Sequence, residues 1–395
     1  MKSNPVHDTP VAPTQWATIS VVYLGGVVAA MSLGKFAPVG PVVTDQLELS
    51  LSQLGWIISA VVGVGAVFGL PGGYLVRRFS AQRSLVYGLA LVAVASAAGV
   101  GASDFTWLLT ARIVEGVGYL LVTIAGPVLV LRLAAERDRS AALSVWATFV
   151  SVGLFAGTLV GGVAGEALGW RGWVGALAAA TLVMAVVLWL CLPRAGAGPQ
   201  TAGSVPRLRA LRWPGVLAAS FCLTALVTIP VIVLLPTLLI DQHEQSAAAA
   251  GVSTSVISLL SAVGGLLAGM LLRRGSRVGV LGLFGLFAVP AAWLVYGGGP
   301  LAGVLGGAGA LSLANGFLAA IVFAALPLIL ERLDHADVGS GLVAQGGSLG
   351  SLLGPPLFGE VAAAFGFAAL APVIAAGLVV AVGALVLAGR RSPGR

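Results

Sequence analysis

The sequence predicts an all-α membrane protein with twelve transmembrane helices in two pseudo-symmetric six-helix bundles. Three observations support this fold class: the composition is strongly apolar, the apolar runs have the length of membrane spans, and the second half of the chain repeats the first. Of the 395 residues, 58% are hydrophobic and 9% are charged, and the mean hydropathy is +1.03. Soluble domains are about half apolar and about one quarter charged, so this composition indicates a polytopic membrane protein.

The apolar runs predict the number of spans. A helix that crosses a bilayer needs about 20 mainly apolar residues, and the chain contains twelve such runs. They cover residues 16–42, 52–75, 84–102, 105–131, 141–168, 172–193, 214–240, 248–272, 278–297, 301–330, 338–363 and 366–389. The first run follows a short polar stretch and is too long for the apolar region of a signal peptide, so we interpret it as the first membrane span.

One long polar interruption divides the twelve spans into two groups of six. This segment, at 194–213, is rich in Gly, Pro and Arg, as expected of a linker. The predicted organisation is listed here in chain order: a cytoplasmic tail at 1–15, a six-helix bundle at 16–193, a cytoplasmic linker at 194–213, a second bundle at 214–389 and a cytoplasmic tail at 390–395.

The distribution of Lys and Arg predicts how the chain is oriented in the membrane. If the N terminus faces the cytoplasm, 18 of the 21 basic residues fall in tails and loops on that side, as the positive-inside rule requires. The other three are Arg171 in an outer loop and Lys35 and Arg112 within spans. The net charge of +7 therefore indicates topology and not nucleic-acid binding. The predicted location is a bacterial cytoplasmic (inner) membrane, with both termini cytoplasmic.

A polar motif that follows the first span occurs again in the second half of the chain. Asp45-Gln46-x-Glu48-x-Ser50 recurs as Asp241-Gln242-x-Glu244-x-Ser246, at a shift of 196 residues. At that shift, residues 45–78 and 241–274 share fourteen identities, and Gly165-Glu166 recurs as Gly359-Glu360 at a shift of 194. The halves are therefore predicted to be parallel repeats, which in transporters place the substrate site between them near the midplane. The duplicated motif itself is predicted to end one span and begin the next.

Two further motifs carry a family resemblance. The loop after span 2 reads GGYLVRRFSAQRS, and span 4 contains LLTARIVEGVGY. Through these motifs the chain resembles a major facilitator superfamily transporter over its whole length. The loop keeps the Gly73 and Arg78 of the family pattern but has Arg77 in place of an Asp and Ser80 in place of a Gly. Span 4 keeps the family's Arg, at Arg112, and has Glu115 in place of a Gln.

The resemblance implies roles for several residues. In the family, the loop after span 2 helps to hold the two halves together on the cytoplasmic side, and the absent Asp puts that contact in doubt here. Small residues four apart in spans 5 and 11 imply close packing or gating, although the family's antiporter pattern has Gly-Pro where this chain has Gly157-Thr158. The predicted gating or packing residues are Gly73, Arg77, Arg78, Gly157, Gly161, Gly354 and Pro355. The alternative is that the Arg residues only anchor the cytoplasmic face and the glycines only pack helices.

Charged residues inside membrane spans are costly and by default indicate function. Three lie deep in the predicted spans: Lys35, Arg112 and Glu115. Along a helix from the outer loops, Lys35 is about 15 Å and Arg112 about 12 Å deep, and Glu115 follows Arg112 on nearly the same face. We expect Arg112 and Glu115 to neutralise each other, which leaves Lys35 unmatched and favours an anionic substrate. Proton coupling is assigned to Glu115 and Arg112. The alternative is an internal ion network with no substrate role.

Polar and aromatic residues in other spans add candidates for substrate contact. Together with the two basic residues, the predicted substrate-binding set is Lys35, Arg112, Tyr23, Tyr119, Asn315 and Gln345. Polar side chains in spans also form helix–helix contacts, and aromatic side chains gather at lipid interfaces. Both remain alternatives for these four additional residues.

The predicted function is secondary active transport of a small organic, anionic solute by alternating access of the two bundles, coupled to protons. The span 1 segment SLGKFAPVGPVV also resembles bacterial small-anion and cyanate permeases. The alternative function is proton-driven efflux of drugs or metabolites, which the glycines of span 5 favour.

An enzyme is not expected, because the sequence lacks a nucleotide-binding motif and a nucleophile–base constellation. His7, His243 and His335 all lie in polar segments at the predicted membrane edges. The two cysteines, Cys191 and Cys222, are too few for a disulfide framework. We expect no cofactor and no metal. The predicted partners are a small-molecule substrate, protons and the lipid bilayer, with no nucleic acid, and the predicted state is a monomer.

Overall fold

The computed structural model of the protein describes residues 13–192 and 208–390, and within these ranges it consists of helices and short connections without a β-strand. The α-helices are α1 (Trp16–Gly34), α2 (Gly40–Gln46), α3 (Leu51–Phe79), α4 (Ala81–Val100), α5 (Phe105–Leu133), α6 (Arg139–Ala147), α7 (Phe149–Cys191), α8 (Arg212–His243), α9 (Ala247–Arg273), α10 (Val278–Phe284), α11 (Ala291–Tyr296), α12 (Leu301–Ile329), α13 (Ala336–Phe365) and α14 (Leu370–Gly389). Helices suit a bilayer because they satisfy their own backbone polar groups.

These helices account for the twelve predicted spans. Among the described residues, ten helical stretches are long and apolar enough to cross a membrane. One of them, Glu136–Cys191, contains two spans, because Gly169 has the non-helical angles φ 69° and ψ 167° and divides α7. The 30-residue α13, which is span 11 in chain order, brings the number of spans to twelve. The predicted fold class is confirmed, whereas the predicted linker and tails lie mostly outside the described residues.

The predicted repeat is visible in the positions where helices begin. α8 begins 196 residues after α1 (212 − 16), α9 begins 196 after α3 (247 − 51), and α12 begins 196 after α5 (301 − 105). The breaks between spans 5 and 6 and between spans 11 and 12 also match, since Gly169 and Gly366 have φ values of 69° and 78°. The two halves therefore use the same helix plan.

The duplicated polar motif has the same local structure in both halves. Glu48 and Glu244 adopt the left-handed φ values of 50° and 51°. Two residues later, Ser50 and Ser246 cap α3 and α9, each accepting a hydrogen bond from the backbone N–H three residues on. Such N-caps satisfy amide groups that have no partner within the helix. The prediction that this motif ends one span and begins the next is confirmed.

Span 1 is not the continuous helix that the sequence predicted. α1 ends at Gly34, and Lys35 lies in the turn before α2 begins at Gly40. Pro38 is the physical reason, because it has no N–H to donate to the carbonyl of Gly34; that carbonyl accepts from the Ala37 N–H at 3.1 Å instead. The depth of about 15 Å for Lys35, which assumed a straight helix, is therefore corrected.

The two halves touch on one side of the membrane and separate on the other. We call the side where α3, α5 and α9 end the basic side, and the opposite side the far side. Near the basic side, a Cβ added to Gly73 on α3 would lie 2.8 Å from the Asp337 carbonyl oxygen at the start of α13. On the far side, a Cβ at Gly55 on α3 or at Gly359 on α13 would meet no atom within 4 Å.

A second contact between the halves, between α9 and α6, is also close near the basic side. A Cβ at Gly265 on α9 would lie 2.7 Å from the Thr148 side chain, and one at Gly269 would lie 2.9 Å from Ser144. These two glycines correspond to Gly69 and Gly73 at the 196-residue shift. The structure is therefore closed on the basic side.

Ser80 provides a test of backbone strain in the loop after span 2. It has φ 75° and ψ 145°, a region that only glycine adopts without strain, and it stands where the family pattern has Gly. We predict that Ser80→Gly raises the free energy of unfolding by about 1 kcal/mol, because relieved strain exceeds the small loss of its cap to α4. Thermal unfolding of the purified protein in detergent measures this change.

Ser50→Gly is the matched control, because Ser50 is also an N-cap but has an ordinary φ of −73°. It should lower the free energy of unfolding by a few tenths of a kcal/mol, on the order of the usual Ser-to-Gly effect at a cap. Strain at Ser80 is refuted if Ser80→Gly is also destabilising.

Candidate functional site

The three deep charges meet in one buried cluster. Lys35, Arg112 and Glu115 are 0%, 0% and 1% exposed. The Lys35 Nζ lies 2.5 Å from Oε1 of Glu115, and the Arg112 Nη1 pairs with Oε2 of the same carboxylate. α5 supplies Arg112 and Glu115 at i and i+3, which places them on one helix face. We call Lys35, Ser96, Arg112 and Glu115 the charge cluster.

Lys35 is not the unmatched cation that the sequence predicted. That prediction paired Arg112 with Glu115 alone, but each of the two oxygens of Glu115 pairs with a different cation. The cluster therefore has two cations and one carboxylate, with a formal charge of +1. Pairing is required because an isolated buried charge costs several kcal/mol.

Ser96 completes the cluster, and the sequence prediction missed it. Its Oγ on α4 accepts a hydrogen bond from the Lys35 Nζ at 2.7 Å and donates one to Oε1 of Glu115 at 2.8 Å. Phe36 packs beside both cations, with its ring centroid 5.3 Å from the Lys35 Nζ and 5.3 Å from the Arg112 Cζ. A serine in an apolar span is too common to identify such a role from sequence.

Backbone groups fix the orientation of Arg112. Its Nε donates to the Ile57 carbonyl of α3 at 3.0 Å, and its Nη1 donates to the Ser32 carbonyl of α1 at 2.9 Å. The cluster thus ties together α1, α3, α4 and α5. The Arg112 Nη2 and the Ser32 Oγ are buried without a hydrogen-bond partner among the described residues, so they remain free to bind another polar group.

The second half has no equivalent of this cluster. At the 196-residue shift, Lys35, Arg112 and Glu115 correspond to Val231, Ala308 and Leu311. All three of these residues are fully buried and apolar. The repeat preserves the helices while confining the charge cluster to the first half.

The remaining predicted substrate-binding residues lie at other places. Tyr23 on α1 shares a 2.8 Å hydrogen bond with Thr148, and Tyr119 on α5 is 8% exposed. Asn315 on α12 accepts from Thr228 at 2.9 Å and donates to Ser261 at 3.3 Å. Within the described parts of the chain, no hydrogen bond joins these residues to the charge cluster, so their contact with substrate stays a prediction.

Gln345 and the predicted gating residues of α3 lie where the halves meet on the basic side. The Gln345 amide bonds to the backbone of α3. Arg77, which replaces the family's Asp, donates from Nη1 to the Asp334 carbonyl at 2.8 Å, whereas Arg78 is exposed. A second charged contact joins the Arg132 Nη2 to the Asp337 carboxylate at 3.7 Å. Basic side chains of the first half and the Gln345 and Asp337 side chains of the second half thus bridge the two halves here.

The predicted packing glycines of spans 5 and 11 face equivalent helices. A Cβ at Gly157 would lie 2.8 Å from the Met31 carbonyl oxygen on α1, and one at Gly161 would lie 3.0 Å from Pro38. In the second half, a Cβ at Gly354 would lie 2.7 Å from the Leu226 carbonyl oxygen on α8, next to Pro355. Backbones approach closely at these positions, and whether they also move during transport stays a prediction.

Two parallel six-helix repeats, one with a buried charge cluster, define a class of membrane transport protein. Comparison with known proteins identifies the family: the model of the Major Facilitator Superfamily matches residues 22–343, and the chain belongs to this family. Its members are transporters and not enzymes. Within the described residues, no group of His, Cys, Asp and Glu side chains is arranged to hold a metal ion.

Two relatives and one solved structure are similar to this chain. The 3-(3-hydroxy-phenyl)propionate transporter of Escherichia coli K12 is 31% identical, over 95% of this chain and 94% of its own. The methyl viologen resistance protein SmvA of Salmonella typhimurium is 30% identical over 40% of this chain and 32% of its own. The structure of the human organic anion transporter MFSD10 has a TM-score of 0.77 at 17% identity, covering 95% of this chain and 100% of its own.

The charge cluster predicts unequal effects of two neutralising substitutions. Glu115→Gln leaves two buried cations and changes the formal charge from +1 to +2, whereas Lys35→Met changes it to 0. We predict that Glu115→Gln lowers the free energy of unfolding by about 3 kcal/mol and that Lys35→Met lowers it by less. Thermal unfolding of both variants at one pH and one detergent concentration shows which variant is the less stable. The reverse order would contradict the assignment of Glu115 as the shared counter-ion.

Proposed function

We propose that the protein is a secondary active transporter that moves a small organic anion together with protons by alternating access. The observation that carries this proposal is the fully buried pairing of two cations with a single carboxylate, Glu115. A net positive charge inside a membrane protein favours an additional anion.

The charges suggest how proton and anion binding are coupled. Protonation of Glu115 removes its negative charge and leaves Lys35 and Arg112 without a counter-ion. A bound monocarboxylate then replaces that charge, so the cluster has +1 both when empty and when loaded with one proton and one anion. Because the charge is equal in the two states, the halves reorient without an added electrostatic cost. One proton therefore moves with each monocarboxylate.

Two polar groups are placed to receive the substrate carboxylate. The Arg112 Nη2 and the Ser32 Oγ are buried without partners in the described part of the chain. Hydrogen bonds between a guanidinium and a carboxylate are among the stronger ones in proteins. Tyr23, Tyr119 and Asn315 are proposed to contact the rest of the solute.

The relative with the longest match described above supports an aromatic carboxylate as the first solute to test. Its name states that it transports 3-(3-hydroxy-phenyl)propionate, which has one carboxylate and one phenolic ring. A single carboxylate agrees with the +1 charge of the cluster, and Tyr23 or Tyr119 can pack against an aromatic ring.

We further propose that the protein is a monomer in a bacterial inner membrane with both termini in the cytoplasm. The basic side is then cytoplasmic, because the described basic residues outside the spans gather there. The first bundle spans 16–193 and the second 214–389, joined by the linker at 194–213, with cytoplasmic tails at 1–15 and 390–395. The structure is then closed to the cytoplasm.

Proton-driven efflux is the second candidate function. It is favoured by the similarity to SmvA, a methyl viologen resistance protein, over less than half of the chain. The local structure gives it less support, because Thr158 stands where the antiporter pattern has Pro and bonds to its own helix at the Leu154 carbonyl, 2.9 Å away. A cationic drug would also meet a cluster of its own charge sign.

Transport in proteoliposomes tests the coupling. We predict that wild-type protein accumulates radiolabelled 3-(3-hydroxyphenyl)propionate when the lumen is more alkaline than the outside, and that a membrane potential alone drives no accumulation. The Glu115→Gln variant should accumulate at least about tenfold less solute under the pH gradient than wild type, because its side chain no longer gains or loses a proton. It should keep exchange of labelled for unlabelled solute at equal pH.

Glu166→Gln is the control for this experiment, since Glu166 is an exposed carboxylate in the same half and should leave accumulation unchanged. Accumulation by Glu115→Gln at the wild-type level would refute coupling through Glu115. Uptake of methyl viologen driven by the opposite pH gradient, with no binding of carboxylates, would establish efflux instead.

Reporter fusions after Arg395 test the orientation. A cytoplasmic C terminus predicts a fluorescent green fluorescent protein fusion and an inactive alkaline phosphatase fusion, because phosphatase requires export to fold with its disulfides. The opposite result would reverse the proposed orientation. It would leave the proposed substrate and the role of Glu115 unaffected.

A further inference from the structure

The Gln345 amide is bonded to a single turn of the neighbouring half. Its Oε1 accepts from the Leu70 N–H at 3.2 Å, and its Nε2 donates to the Ala66 carbonyl at 3.0 Å. Ala66 and Leu70 are the i and i+4 residues of one turn of α3. Leu70 and Gln345 are 275 residues apart in sequence. One side chain of α13 thus contacts the donor and the acceptor of the same turn.

Pro71 explains why a backbone carbonyl in this turn of α3 is available to accept a hydrogen bond from another helix. In a regular helix, the carbonyl of Val67 would accept from the N–H of residue 71, but proline has none. The Gln345 Nε2 lies 3.4 Å from the Val67 carbonyl oxygen and donates to it as well. Gln345 therefore supplies the donor that Pro71 removes.

Gly69 allows the two helices to approach closely enough for these bonds. A Cβ on Gly69 would lie 2.7 Å from the Cα and 2.8 Å from the backbone nitrogen of Gln345. One turn away on each side, Gly65 faces Ser348 and Gly73 faces Val338 in the same way. The contact is thus a continuous helix crossing with the Gln345 amide at its centre.

The equivalent crossing in the other half has the glycines but lacks the amide. At the 196-residue shift, Gly69 and Pro71 correspond to Gly265 and Leu267. Gly265 faces the methyl group of Thr148, and among the described residues no side-chain amide of the first half bonds to α9 there. The α3–α13 crossing therefore has polar contacts that its counterpart does not, although the backbones approach similarly.

We infer that Gln345 holds the two halves closed on the basic side by completing the hydrogen bonding of α3 at Pro71. Alternating access requires α3 and α13 to separate there, and separation breaks all three bonds of the amide. Gln345 therefore affects transport through the equilibrium between the conformations that are closed and open on the basic side. It positions the halves without contacting the solute, and this inference is independent of which solute is transported.

The rate at which a buried cysteine is alkylated measures how often the basic side opens. Ser144 is fully buried at the other crossing, so Ser144→Cys reacts with a maleimide only from conformations that open there. The background carries Cys191→Ser and Cys222→Ala, and the protein is held in nanodiscs without solute. When opening and closing are fast, the alkylation rate is proportional to the open population.

We expect Gln345→Met to raise the alkylation rate about tenfold, since Met keeps the side-chain length but cannot make the hydrogen bonds. Ser351→Ala is the matched control on the same helix, because the Ser351 hydroxyl bonds only to the Gly347 carbonyl of α13, and it should leave the rate unchanged. A rate for Gln345→Met equal to that of Ser351→Ala would overturn the inference.

Pro71→Ala separates a hydrogen-bond role from a general loosening of the fold. Alanine restores the N–H that the Val67 carbonyl lacks, so Gln345→Met should raise the alkylation rate by less than about threefold in this background. An undiminished tenfold effect there would show that the carbonyl released by Pro71 is not the cause, and would also overturn the inference. Failure here leaves the proposed anion transport standing, since no solute is present.

Discussion

The shared ion pair at Glu115 is the interaction on which the first half of the structure depends. A membrane interior does not tolerate three charges unless each is paired, and here one carboxylate serves both Lys35 and Arg112. To reach it, α1 must end at Gly34, where Pro38 interrupts the backbone hydrogen bonds. α4 and α3 contribute a hydroxyl and a carbonyl. Four helices are thus tied together by the charge cluster around this carboxylate.

Duplication and asymmetry together explain how one helix plan serves two tasks. The halves share helix starts, capping serines and the glycines where they cross, so either half can pack against the other. Their differences are polar: the charge cluster belongs to the first half, and the amide that bridges the crossing comes from Gln345 in the second. A transporter needs a solute site and a contact that opens, and these polar differences assign them to separate positions.

The two polar features also differ in what they require from a conformational change. The charge cluster is internal to one half, so it survives when the halves rock against each other, and in the proposed cycle only its protonation and its bound anion change. The Gln345 contact joins the halves and must break in every cycle. Coupling between them needs no direct contact, because solute binding and closure both bias the same two conformations.

The sequence by itself determined the membrane class, the twelve spans, the 196-residue repeat and the identity of the three deep charges. These follow from composition and from local patterns, since a span or a cap such as Ser50 depends on neighbouring residues. Only the tertiary structure decided that Lys35 pairs with Glu115, that Ser96 joins them, and that Gln345 faces α3. Those contacts join residues 80, 61 and 275 positions apart. They depend on how each helix is rotated and on where α1 breaks, and apolar periodicity in a bilayer leaves both undetermined.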